Sequence, residues 1–386
     1  MTRLEPRFGE SFQKTLDEAG SMLSRSLSGG VTSSALRLIG VFLATVGAAL
    51  VLASPAVIAA GSDPWTAYVA LFDGSLGSKR AISETFVSMT PLLFGGLAVA
   101  LAFQAGLFNI GVEGQLVVGG IAAGVVGVKL SLPAPLHVLI ALLAGAAAGA
   151  LWALIPAILK AWRGVHEVIT TIMMNFVAFS ISRFLVKPGG ALEGEIPTAT
   201  EPVQSSAELP RIWFPTRLHL GILFALLAAI ACWYFLFRMP AGFRFRLVGA
   251  NPVAARFNGI SYHRVVVETM LLSGALAGLV GVVEVLGTHR RYLDSFSPGY
   301  GFDSIAVALL GGLHPIGVGA AAWVFGLLRA GSTQLQLEAG ISRDMITLIS
   351  GLVVACVAAR ILLTRHLEQR KRQSAIPDQD PEHGNA

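Results

Sequence analysis

Five stretches of the chain, Leu38–Ser62, Thr85–Val112, Leu130–Leu159, Leu218–Phe237 and Ser304–Leu328, each run for at least 20 residues without an Asp, Glu, Lys or Arg. About 20 apolar residues wound as a helix cross the hydrocarbon core of a bilayer. A water-soluble fold of 386 residues must cover its surface with charge, yet charged residues are only 13% of this chain, against a usual quarter. Hydrophobic residues at 54% exclude disorder, which needs a chain too polar to bury a core. The formal charge of +5 does not point to nucleic acid, because the basic residues sit between apolar blocks. The chain reads as an integral membrane protein.

Shorter or interrupted apolar segments are Gly114–Val128, Glu167–Val186, Arg264–Leu286 and Met345–Leu363. None of the segments alternates polar and apolar residues as an outer-membrane strand does. The expectation is therefore an all-α polytopic fold of about ten transmembrane or re-entrant helices. Basic residues favour the cytoplasmic side of a membrane. They cluster as Arg3, Arg7, Lys14, Arg25 and Arg37, then as Arg238, Arg244, Arg246, Arg256 and Arg264, then as Arg360, Arg365, Arg370, Lys371 and Arg372. The acidic, Pro-containing stretch Pro188–Pro215, with Glu193, Glu195, Glu201 and Glu208, then lies outside.

That placement divides the chain into a cytoplasmic tail 1–34, a transmembrane body 35–363 and a cytoplasmic tail 364–386. The body carries an extracytoplasmic loop 188–217 and a cytoplasmic loop 239–263. Both termini inside require an even number of crossings. Eight full spans satisfy this, with a re-entrant pair made of Asp303–Leu310 and Ile316–Leu328 hinged at Gly311-Gly312-Leu313-His314-Pro315. Gly-Gly and Pro break a helix, and broken backbone at depth is tolerated only against protein or a water-filled cavity. The first apolar run follows a polar segment holding four acids, so it reads as a retained span rather than a cleaved signal. Cys232 and Cys356 lie in apolar spans and read as buried free thiols.

Gly111-Val112-Glu113-Gly114-Gln115 and the Gly-ended run after it resemble Gly301-Phe302-Asp303-Ser304-Ile305 and its own. Such an echo is the mark of an internal repeat with a path at the interface of two halves, although low-complexity Gly/Ala sequence also produces it by chance. Catalytic patterns are missing. There is no phosphate-cradling G-x-x-x-x-G-K-[ST] loop, no metal-spaced cluster and no nucleophile elbow. The chain reads as a transport protein rather than an enzyme, without metal or cofactor of its own.

Ionisable and polar groups inside apolar spans are costly and therefore candidates for function. Phe108-Asn109-Ile110-Gly111-Val112-Glu113-Gly114-Gln115 is the densest cluster. Its Asn, Glu and Gln can bond the hydroxyls of a solute while Phe108 stacks on a ring, or Glu113 can simply lock neighbouring spans. Asn175 shares a helix face with Thr171 and either lines a path or bonds across helices. Glu167 opens its helix, where an acid suits the dipole. Glu268 and Glu284 can reach interfacial water from the two ends of one span. Asp303 stands out as the acid of the echo. Phe108, Asn109, Glu113, Gln115, Asn175 and Asp303 are thus the candidates along a solute path. Gly145–Gly149 and Gly274–Gly278 are small-residue pairs suited to close helix packing.

In the loop 239–263, Asn251 before Pro252 predicts a helix N-cap with Pro at the first position. Val253–Phe257 makes about one and a half turns, and Gly259 ends them. Val253 and Phe257 share a face with Arg256 beside it, a shape suited to docking into a soluble partner.

Four motifs resemble the permease subunits of bacterial ABC importers in the ribose and branched-chain amino-acid permease superfamily. They are Phe108–Gln115, His166–Asn175, Gly249–Ile260 and Gly301–Gly312. The second points to the longer of the two nucleoside-type permeases, a group often named simple-sugar permeases. The resemblance implies a shorter second permease, a cytoplasmic ATP-binding cassette ATPase that supplies ATP and Mg chemistry, and a periplasmic or lipid-anchored binding protein. It places the chain in the bacterial inner membrane. It also makes Gly249, Asn251, Val253, Arg256, Phe257 and Gly259 the segment coupled to the ATPase. The solute expected is a nucleoside, the alternatives being a simple sugar such as ribose or, outside this class, ion-coupled transport by the chain alone.

Overall fold

A computed structural model describes residues 61–340 and, outside them, residues 47, 48, 50–55, 57–59, 348, 351, 352 and 355. The two tails, about half of the expected first span, most of the expected last span Met345–Leu363, and Cys356 lie outside the described residues.

Among the described residues the chain is helical, with two isolated antiparallel bridges, Ala199 to Leu293 and Arg211 to His219. Within residues 61–340 eleven helices follow in order: α1 Pro64–Leu76, α2 Lys79–Gln104, α3 Val112–Lys129, α4 Ala134–Arg163, α5 Glu167–Val186, α6 Gly221–Arg238, α7 Pro240–Ala250, α8 Pro252–Phe257, α9 Tyr262–Val283, α10 Tyr300–Leu310 and α11 Pro315–Ala339. A π turn, Glu284–His289, extends α9. Seven of them, α2 to α6, α9 and α11, are long and apolar enough to cross a membrane.

Local chemistry sets the ends. Asp63 caps α1, accepting the Thr66 N–H at 2.9 Å, and Ser78 caps α2 through the Ala81 N–H at 3.0 Å. Gly164 at φ 65° closes α4 in the left-handed conformation that glycine adopts without strain. α1 and α7 are helices the charge pattern did not announce, since α1 carries Asp73 and α7 carries Arg244 and Arg246.

Burial in this bundle is inverted relative to a soluble protein. α2 runs through the centre, with 89% of its apolar window buried, whereas the corresponding share is 22% for α5. The outer helices turn Leu143, Leu151, Phe176, Phe184, Leu227 and Ile230 outward, which lipid accepts and water does not. The chain is a multi-pass membrane protein.

Helices α3, α4 and α9 meet along a seam of glycine, as the small-residue pairs predict. A Cβ on Gly149 would stand closer than 3.0 Å to the Gly274 carbonyl and to Gly278, and one on Gly278 would overlap the Gly145 carbonyl. Backbones approaching this closely gain dispersion contacts that lipid chains cannot replace.

The ends of the bundle differ. One carries α7 and α8, where Gln104 closes α2. At the other, residues 187–220 fold over the helix ends: the Leu209 N–H reaches the Leu286 carbonyl at 3.0 Å, the Gln204 N–H reaches Gly127 at 2.9 Å, and Arg290 pairs with Glu208 at 3.1 Å.

The re-entrant pair needs correction. The Gly311–His314 turn lies not at mid-depth but at the α7–α8 end, where Gln104 Nε2 donates to the Leu313 carbonyl at 3.1 Å. There the His314 ring sits 4.9 Å from Phe237 at the end of α6. From that turn α11 runs 25 residues back along α2 to α1, where Gly331 lies against Leu71. Of the two helices flanking the turn only α10 is short, because residues 290–299 run down from the opposite end as irregular chain before it begins.

Candidate functional site

The Phe108–Gln115 cluster does not form one helix. The chain leaves α2 at Gln104, runs without regular structure through residues 105–111, and starts α3 at Val112. A helix begun inside a bundle exposes N–H groups that water cannot reach, and the polar residues of the cluster supply the missing partners. Asn109 Oδ1 accepts the Gly111 N–H at 3.0 Å. Asn175 Oδ1, from α5, accepts the Gly114 N–H at 2.8 Å, and its Nδ2 donates to the Ile110 carbonyl at 3.0 Å. Asn109 and Gln115 exchange amide bonds at 2.9 and 3.0 Å. Asn109 also donates to Ser273 Oγ at 2.8 Å, which in turn donates to the Ala98 carbonyl at 2.7 Å.

The same arrangement serves the second broken segment. Ser297 Oγ accepts the Gly299 and Tyr300 N–H groups at 3.2 and 3.1 Å. Glu113 Oε2 accepts the next one, from Gly301, at 2.5 Å. The two echoing segments thus touch, and a Cβ on Gly301 would collide with Glu113. Phe108 packs its ring 4.8 Å from Phe103, and its N–H reaches Glu167 at 3.3 Å. Glu167 is bridged by Lys160 at 2.8 Å, so it ties α4 and α5 to this loop as well as opening its own helix. Glu284, expected near water, is 2% exposed and faces His289 at 3.4 Å. Glu268 pairs with Arg264 one turn back at 2.6 Å.

Asn109, Glu113, Gln115 and Asn175 are therefore brought together, none more than 3% exposed, with their bonds directed at the chain itself. Because both halves of the Asn175 amide serve buried backbone, Asn175→Leu strands a donor and an acceptor. The cost is about 2–4 kcal/mol. The thermal midpoint of the detergent-solubilised protein should fall clearly, and less for Asn175→Asp, which keeps the acceptor. An unchanged midpoint in Asn175→Leu would contradict this capping role.

Asp303 lies elsewhere. It borders a cavity of about 750 Å³ at the end opposite α7 and α8, walled by α1, α2, α10, α11 and Arg217. Arg329 donates to Asp303 at 2.6 Å and lies over the Tyr300 ring at 4.6 Å. Across the cavity Arg217 bonds both carboxylate oxygens of Glu84, at 2.9 and 2.5 Å. That pairing with Glu84 holds the Arg217 guanidinium above its ordinary pKa. Sequence reasoning singled out Asp303 but not Arg329, Glu84 or Arg217, although each stands at the edge of a charge-free run.

The predicted short helix is α8. Asn251 Oδ1 accepts the Val253 and Ala254 N–H groups at 3.0 and 2.9 Å, Pro252 takes the first position, and Gly259 follows the helix at φ 74°. Ala255 is buried, Arg256 is exposed, Val253 is 64% exposed and Phe257 88%. Gly249, at the end of α7, lies so close to the Gln104 carbonyl that a Cβ would overlap it. Among the described residues no cluster of His, Cys, Asp or Glu could hold a metal ion, and Cys232 is a buried free thiol.

Comparison with known proteins agrees with this architecture. The family described as branched-chain amino acid transport system / permease component matches residues 81–358. The guanosine ABC transporter permease protein NupP of Bacillus subtilis is 39% identical over 345 residues, covering 88% of this chain and 97% of that one. The glucose ABC transporter permease protein TsgB13 of Haloferax volcanii is 36% identical, over 80% and 84% of the two chains. A second B. subtilis protein, the guanosine ABC transporter permease protein NupQ, is 30% identical over 64% and 80%. No solved structure matches. A multi-pass bundle with polar-capped helix breaks, matched over most of its length by such permeases, belongs to the branched-chain amino acid transport permease-component family, and the chain is an ABC transporter permease subunit.

Proposed function

We propose that the chain forms one side of the path of an ATP-driven nucleoside importer in a bacterial inner membrane, with α8 as its contact to the ATPase. The observation that carries this reading is the build of α8. A six-residue helix this small is stable only because Asn251 and Pro252 start it, and it presents Phe257 and Val253 bare at the basic end of the bundle. Large exposed apolar residues on a capped projection fit a protein groove better than water. Gly249 seats the connecting helix on Gln104, which also holds Leu313, so a push on α8 reaches both broken segments.

On this reading the α7–α8 end and both tails are cytoplasmic, and the described spans belong to a set of about ten made of two duplicated halves. ATP and Mg act in the partner ATPase, and a binding protein delivers solute to the opposite end. The second permease is a shorter one, as the pair of guanosine permeases in B. subtilis supports. Gly249, Asn251, Val253, Arg256, Phe257 and Gly259 form the coupling segment. Along the path, Asp303 faces open space, while Phe108, Asn109, Glu113, Gln115 and Asn175 hold the frame behind it. A simple sugar is the second reading, favoured by the 36% identity to a glucose permease.

The test is reconstitution with the shorter permease, the ATPase and the binding protein in proteoliposomes. Guanosine should accumulate only with ATP and all four components. Uptake of glucose without guanosine uptake would replace the nucleoside reading with the sugar one.

A further inference from the structure

We propose that the cavity beside Asp303 is a water-filled chamber that takes up an uncharged solute carrying a flat ring and hydroxyls, with Tyr300 as the surface on which the ring stacks. This rests on the importer reading and adds the place and chemistry of the solute's first contact with the chain.

Six ionisable side chains surround this one cavity: Asp73, Glu84 and Asp303 against Arg80, Arg217 and Arg329. Each would cost several kcal/mol against hydrocarbon, so this wall faces water or protein and not lipid, unlike the outer faces of α4, α5 and α6. Three charges of each sign sum to no net charge, so the cavity has no excess of either sign to draw in an anion or a cation. The cavity therefore suits a neutral solute. Its volume of about 750 Å³ lies within the range of small-molecule pockets.

Recognition chemistry is present in the walls. Carboxylates at Asp303 and Glu84 accept from paired hydroxyls, Arg329 already lies over the Tyr300 ring, and Ser88 on α2 offers a hydroxyl. The floor is rigid, because Ser297 and Glu113 cap the first turn of α10. The far end of the same helix turns at Leu313, held by Gln104 next to Gly249. A solute resting on Tyr300 and Asp303 thus bears on the helix that ends at the α7–α8 elbow.

The experiment uses the four-component complex with Cys232→Ser and Cys356→Ser, then adds Ser88→Cys and, separately, Ser180→Cys on the outer face of α5. A membrane-impermeant maleimide should label the Ser88→Cys variant. Guanosine at ten times its half-saturating concentration should slow that labelling roughly tenfold. Guanosine monophosphate, with the same ring and added charge, should not, and Ser180→Cys, on a face turned to lipid, should stay unlabelled with or without guanosine. Tyr300→Leu should raise the KM of guanosine uptake about tenfold, the size of one stacking contact. If ATP-driven uptake is intact but the Ser88→Cys variant is unlabelled, or labelled at a rate guanosine does not change, the chamber is not on the solute's route. Equal protection by the monophosphate would overturn the neutral-solute assignment. Absence of ATP-driven uptake in the unmutated complex would instead sink the importer reading.

Discussion

Gly278→Leu should leave little correctly folded protein in the membrane. A side chain at this position meets the Gly145 carbonyl and the Gly149 backbone on α4, and neither can move aside as a rotamer could. Overpacking a tight core costs about 1–3 kcal/mol where side chains can adjust. Here rigid backbone stands in the way, so the cost lies at the top of that range, about 3 kcal/mol or more. Because Gly119 on α3 also packs on Gly278, the substitution separates three helices at once. The check is the fraction of chain that runs as a single species after mild solubilisation. Gly319→Leu supplies the comparison, since a Cβ there meets nothing within 4 Å and its fraction should match the unmutated chain. Equal yields for the two variants would show that the glycine seam does not hold the bundle.

Phe257→Glu should abolish solute-stimulated ATP turnover while the bundle itself stays folded. Phe257 is 88% exposed, so its removal disturbs no internal packing, and a polar replacement is compatible with water. Aromatic residues at the centre of an interface contribute about 2 kcal/mol or more, and adding a carboxylate turns that contact into a desolvation cost. Asn251→Ala should act in the same direction more weakly, since loss of an N-cap costs about 1 kcal/mol and α8 then frays. Unchanged assembly in both variants, read by co-purification of the ATPase, would remove α8 from the interface.

Charge-free runs announced the bundle, and their edges held more than their interiors. Glu84 precedes the run starting at Thr85, Arg217 precedes Leu218, and Asp303 and Arg329 bracket Ser304–Leu328. These four residues form two ion pairs of the cavity beside Asp303. Their positions were visible in the sequence, but their pairing was not, because Glu84 and Arg217 are 133 residues apart. The same holds for the capped breaks. Asn109, Glu113, Gln115 and Asn175 were legible as unusual polar groups, whereas their partners lie 61 residues away for Asn175 and Gly114, and 188 for Glu113 and Gly301. A pattern of types and spacings shows that a polar group in a span needs a partner. It does not show whether that partner is a solute or a broken helix.

α8 was legible down to its cap, because Asn251, Pro252 and Gly259 act on their own neighbours and need no tertiary contact. α1 and α7 were hidden for the opposite reason: each mixes charge with apolar residues and takes its place from packing against α11 and α6. The depth of the Gly311–His314 turn followed the same rule. Gly-Gly and Pro announced a break, and only the bond from Gln104 to Leu313 shows where in the bundle it lies.

The most direct test of the account is guanosine accumulation in proteoliposomes holding the chain, its shorter permease partner, the ATPase and the binding protein, compared with the same system carrying Phe257→Glu. Accumulation that requires ATP and is lost in the variant, with the variant chain still folded in the membrane, is the result predicted. Accumulation by the chain alone under a proton or sodium gradient, or full ATP-driven uptake with Phe257→Glu, would contradict it.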